Sequence, residues 1–143
     1  MAKLDAKLRS RMVLHGCLVI MLSLVAGFPY ALAILGQAAE VSRAWSAVHT
    51  GGILNGLLVM AAAAAARRTV LNVGRQRIMA YCFIATAYGN LLGYSIGAMT
   101  GTRGLEIAPP VANMLVWAFF MTAVVTAFTG LGLLAWGVAT RDI

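Results

Sequence analysis

The sequence predicts an all-α fold, a four-helix transmembrane bundle forming one domain over residues 1–143, with both termini cytoplasmic. Three observations predict it. First, 62% of the 143 residues are apolar and only 10% are charged, and the mean hydropathy is +0.87, far from both soluble domains and disordered chains. Second, the charges divide the chain into four uncharged intervals, 12–39, 44–66, 78–102 and 107–140, each longer than the roughly 20 residues that cross a hydrocarbon core of about 30 Å. Third, lipid admits only helices and closed barrels as spanning backbone, and runs of this length fit helices.

The helix cores are expected at about residues 13–35, 45–65, 78–99 and 113–138. In the first, Pro29 should kink the outer end, because its ring removes one donor and crowds the carbonyl four residues earlier. A basic start, an apolar run and Ala31-Leu32-Ala33 also match a secretory signal, a reading set below that of a retained helix. Ala61 to Ala66 give the second helix a narrow, close-packing end. Pro109-Pro110 keep the third connection out of helix. Orientation follows from the basic residues. Lys3, Lys7, Arg9, Arg11, Arg67, Arg68, Arg75, Arg77 and Arg141 fall on one side, and Arg43 and Arg103 on the other. Nine against two places the richer side in the cytoplasm.

This distribution accounts for the net charge of +7 as a topology signal that can also meet anionic headgroups, so nucleic acid is set aside as a partner. Cys17 and Cys82 both lie in apolar stretches, which excludes a disulfide framework and a cysteine zinc site. No Asp, Glu, Lys or Arg lies deep in a span, whereas proton pumps and carriers of charged substrates usually need one. Chemistry therefore falls to a few polar residues, His15, His49, Asn55, Thr86, Asn90 and Tyr94, or to a cofactor.

His49 is the most informative of them. It stands in Trp45-Ser-Ala-Val-His49-Thr-Gly-Gly-Ile-Leu-Asn55-Gly56, expected about one turn inside the outer end of the second helix. Neutral imidazole is a common metal ligand, and Gly51, Gly52 and Gly56 leave room for a flat macrocycle. The same residues suit a histidine that bonds a neighbouring helix, with Gly52 and Gly56 as a small-residue packing pair, and the residues alone leave both readings open. Trp45 reads as an interfacial anchor. His15 is expected near the opposite face, on the order of 15 to 20 Å away along the normal, so one iron cannot bridge the two within a subunit and His15 reads as structural.

In the third helix Thr86, Asn90 and Tyr94 recur every four residues along one face, while Gly89, Gly93, Gly97 and Gly101 run along a neighbouring face. The glycines suit close helix approach. The polar stripe either ties helices together or forms a pocket, and a phenol with carboxamides can hold a neutral oxygen without buried charge. Asn55, six positions after His49, is turned away from it by about 120°.

Taken together, the His49 segment, Asn90-Leu-Leu-Gly-Tyr94 with Thr102-Arg103-Gly104-Leu105, and His15-Gly16 resemble the styrene oxide isomerases. The resemblance implies a small bacterial inner-membrane enzyme, a homotrimer with haem b near its subunit interfaces. His49 would be the axial iron ligand, and Asn55 and Tyr94 would position the epoxide, with Asn90 and Thr86 as further pocket residues. The implied reaction turns an aryl epoxide into an aldehyde, by Lewis-acid opening at ferric haem and a 1,2-hydride shift. The sequence departs from the family at Thr86, where an aspartate is expected, and in shorter outer loops. Two other readings remain: a non-enzymatic b-type cytochrome or haem sensor using His49, and a scaffold whose histidines and glycines only pack helices.

Overall fold

The computed structural model describes residues 6–140. Lys3 and Arg141, two of the nine basic residues expected on one side, lie outside the described residues. Four long helices follow one another: α1 (Ala6–Leu35), α2 (Ala39–Arg68), α3 (Val73–Thr100) and α4 (Val111–Ala139). Among the described residues there is no strand. By length and apolar composition α1, α2 and α4 can each cross a membrane. The 28-residue α3 rises about 42 Å, and its glycines, Asn90 and tyrosines make it less apolar. Its position explains this, because α3 packs against each of the other three helices and needs the least lipid-facing surface.

The packing is inside out relative to a soluble bundle. Large apolar side chains such as Leu22, Phe28, Leu32, Val125 and Phe128 face outward, while much of the buried set is small: Ala62, Ala63, Ala66, Ala80, Ala87 and Ala123. Lipid gives large apolar residues no reason to hide, so small residues are left to bring helices together. A Cβ on Gly16 would stand 2.8 Å from the Gly56 carbonyl oxygen, and one on Gly56 would stand 2.7 Å from that of Gly16. The backbones of α1 and α2 thus touch, as the Gly52/Gly56 pattern suggests, and Gly52 itself seats the Ser23 side chain. Along α3, Gly89 lies against the Phe119 carbonyl and Ala123 of α4, and Gly93 receives the Phe120 ring. Gly101 departs from the expected packing stripe. It ends α3 in the left-handed conformation, φ 71°, the usual glycine terminator.

All four helices begin before their apolar cores, α1 at Ala6 and α2 at Ala39. Hydropathy marks the lipid-immersed part, and arginine and lysine are good helix formers that continue the same helix past it. His49 therefore lies ten residues into α2, nearer three turns than one. Consecutive helices run antiparallel, so Lys7, Arg9, Arg11, Arg67, Arg68, Arg75 and Arg77 gather at one end, where Val70 N–H bonds the Gly137 carbonyl at the end of α4. Arg43 and Arg103 are at the other, both lining one cleft.

Two helices are irregular, both near His49. The regular α-helix of α1 is interrupted at Ala26, between Ala6–Val25 and Gly27–Leu35, next to the Val25 carbonyl to which Pro29 has no N–H to donate; Ala26 itself still bonds Leu22 and Tyr30. In α2 the segment Ala47–Gly51 is a π-turn, a rare local widening often found at functional sites.

Candidate functional site

His49 sits inside this π-turn and is half-buried. Its Nδ1 lies 2.8 Å from the main-chain oxygen of Ser23 on α1. A carbonyl oxygen only accepts, so Nδ1 carries the proton and donates, leaving a lone pair on Nε2. Metal-binding histidines are oriented in the same way. Nε2 has no hydrogen-bond partner among the described residues. The Tyr30 ring stacks beside the imidazole, centroids 6.1 Å apart and planes inclined by 27°. Gly27 leaves the room the ring occupies, since a Cβ there would stand 3.1 Å from both Cε1 and Nδ1. Ser23, Gly27 and Tyr30 flank the break in α1, so the break shapes the seat of the imidazole.

On the other side of the π-turn lies α3. The Asn90 Nδ2 donates to the Asn55 Oδ1 at 2.9 Å, and the Asn55 Nδ2 donates to the Gly51 carbonyl at 2.7 Å. One N–H and one carbonyl lone pair of Asn55 remain for other use. The edge of Tyr94 rests on Gly51, where a Cβ would stand 2.9 Å from its Cε2, and its ring leans on Phe120 of α4, centroids 5.2 Å apart. Tyr94 lines a cleft of about 570 Å³ between α2, α3 and α4, with walls from Ala44, Ala47, Gly93, Gly97, Ala98 and Phe120 and charged Glu40, Arg43 and Arg103. The Tyr94 hydroxyl has no hydrogen-bond partner among the described residues.

Asn55, Asn90 and Tyr94 are thus gathered around the π-turn. His49 belongs to the same turn but faces α1. Thr86 is elsewhere: 3% exposed, its hydroxyl bonds the Cys82 carbonyl at 2.9 Å and the Thr126 hydroxyl at 2.9 Å, within the α3–α4 seam. The every-fourth-residue stripe is therefore shared between two seams. His15 pairs through Nδ1 with the Tyr88 hydroxyl at 3.1 Å, a polar tie between α1 and α3. Trp45 packs half-buried at the edge of the core.

Ser23, Gly27, Tyr30 and Phe120 were not marked by the sequence. Pro29 was the available signal for the first three, since the carbonyls and space near a proline break are where a side chain from another helix can enter.

The family model of styrene oxide isomerase matches residues 8–139. The chain belongs to the styrene oxide isomerase family. The match takes in almost the whole of all four helices and every residue just described, so the π-turn of α2, with His49 on one side and Tyr94 on the other, lies within the matched part. Among curated proteins, none matches the chain with significance.

Proposed function

We propose that this chain isomerises an aryl epoxide of the styrene oxide kind to the corresponding aldehyde, with haem b held by His49. The observation that carries the reading is the pair of groups on the two sides of the π-turn: an imidazole fixed by Ser23 with Nε2 unengaged, and an unpartnered phenol on a cleft walled by small and aromatic residues with Glu40, Arg43 and Arg103 among its lining. The donor set fits haem. Among the described residues no group of three or more His, Cys, Asp or Glu could hold a metal, so iron at His49 needs its other ligands from a macrocycle. Haem held there by His49 would supply a Lewis acid toward an epoxide oxygen.

Within one chain His49 and the Tyr94 cleft face opposite sides of the π-turn, so an oxygen that meets both would sit where copies of the homotrimer adjoin. Tyr94 donates a hydrogen bond from its hydroxyl, offsetting negative charge as the C–O bond at the benzylic carbon breaks. Asn55 keeps one N–H beyond its bond to Gly51 and would offer it to a neutral acceptor beside the turn. The hydrogen on the neighbouring carbon then migrates with its electron pair to the benzylic carbon, and the C=O bond forms. Every atom of the epoxide is retained in the aldehyde, so no oxidant or reductant enters. An epoxide seated against Ala47, Gly93, Gly97 and Phe120 would itself displace water from the reacting carbon, where water would otherwise capture the cation as a diol. Lipid concentrates the apolar substrate. The cytoplasmic placement of both ends, the bacterial inner membrane and a homotrimer belong to this proposal, the first supported by the basic end of the bundle.

Incubating the purified protein with styrene oxide and analysing products tests the reading. Phenylacetaldehyde formed without added nicotinamide or flavin is expected. Unchanged epoxide, from protein that carries haem, would favour a cytochrome or sensor instead.

A further inference from the structure

We infer that Asn90 is a positioning residue that holds the π-turn of α2 through Asn55, and thereby fixes the imidazole of His49 and the seat of Tyr94 together. The π-turn Ala47–Gly51 is a less common conformation than the α-helix on either side. Reverting to α would rotate the start of α2, His49 included, against Gly52–Ala65, by about 100° for each residue of slip. Something must favour the wider turn, and its last residue is where the contacts converge. Gly51 accepts from the Asn55 side chain and receives the edge of Tyr94.

The Asn55 amide could face either way, and only one way works. With its oxygen toward Gly51, two acceptors would meet. The Gly51 carbonyl can only accept, so it takes the Asn55 N–H, and Asn90 donates its Nδ2–H to the Asn55 oxygen left on the other side, pinning the amide between the turn and α3. The Asn90–Asn55 contact is a direct side-chain hydrogen bond from α3 to α2. Asn90 thus acts through Asn55 on a turn that has His49 on its α1 side and Tyr94 on its α3 side. The activity arm of the test rests on the isomerase reading above; the exchange arm does not.

Amide hydrogen exchange over residues 45–56 would be measured on the purified full chain before any cofactor is added, for wild type, Asn90→Leu, Asn55→Leu and the double variant. The kcat and KM for styrene oxide would be measured alongside. Asn90→Leu is expected to speed exchange across the π-turn tenfold or more while residues 116–126 of α4 keep their protection. It should lower kcat severalfold with KM changed less than twofold. On the Asn55→Leu background it should add less than a twofold effect to either. Should Asn90→Leu not fold, Asn90→Ser decides, because its short hydroxyl bonds back to its own helix and loses Asn55; the same loosening is expected. Unchanged exchange in the folded Asn90 variant, or an effect that persists in full without Asn55, overturns the inference. A wild-type protein that turns over no epoxide but shows the expected exchange pattern sinks the isomerase reading and leaves this one standing.

Discussion

The Nδ1 of His49 on α2 lies 2.8 Å from the main-chain oxygen of Ser23 on α1, which commits one ring nitrogen to the protein and keeps the other available. The bond crosses between the two irregular stretches of the molecule, the break at Ala26 and the π-turn at Ala47–Gly51. Regular helices would not offer the same meeting, since Gly27 is where the ring needs the space a side chain would fill.

Gly27→Val should therefore disturb the imidazole without touching the chemistry of its nitrogens. Even the first added carbon stands 3.1 Å from Cε1 and Nδ1, tighter than van der Waals contact, so the ring must move. Haem content at saturating haem is expected to fall severalfold while circular dichroism stays helical. Full haem occupancy would show that the ring's seat does not depend on Gly27.

Tyr94→Phe should retain haem and lose turnover. Removing one donor aimed at developing negative charge costs on the order of a hundredfold in rate where the group acts directly. The phenyl ring keeps the contacts with Gly51 and Phe120, so stability should hold. Steady-state rates with styrene oxide decide, and an unchanged kcat removes the phenol from the mechanism.

Thr86→Asp should harm the fold more than it changes the reaction. The position is 3% exposed and faces the Ala123 carbonyl and the Thr126 hydroxyl of α4, neither of them a cation, so a carboxylate would be buried without a counter-charge, at a cost of several kcal/mol. Thr86→Val, which loses only the hydroxyl, should cost about 1 kcal/mol and leave turnover near wild type. Thermal unfolding in detergent checks both. Faster turnover in Thr86→Asp would mean that this position reaches the site after all.

Gly56→Val should separate α1 from α2. Its Cβ would stand 2.7 Å from the Gly16 carbonyl, which is backbone and cannot swing aside. Overpacking of this kind costs about 1 to 3 kcal/mol, read as a lowered unfolding temperature. An equal Tm would contradict the backbone contact.

The number, type and order of the helices were legible because charge spacing and hydropathy report directly on the membrane. Helix ends were not, since Glu40 and Arg43 interrupt the hydropathy of α2 without interrupting its helix. The glycines opposite α1 and α4 were readable as close-packing positions, and Gly101 misled because a terminator and a packing glycine look alike in sequence. His49, Asn55, Asn90 and Tyr94 could be picked out as polar residues at matching depth. Their partners could not. Ser23 meets His49 only through a particular register of α1 on α2, and Thr86 turns to α4 because four-residue spacing drifts by about 40° per step. No hydropathy pattern signals a π-turn, so the element joining the two halves of the site emerges only with the backbone.

The absorption spectrum of purified protein, wild type beside His49→Ala, tests the central claim most directly. The account predicts a Soret band in the wild type that disappears in the variant together with epoxide turnover. A variant that keeps a normal Soret band and normal haem stoichiometry would contradict it.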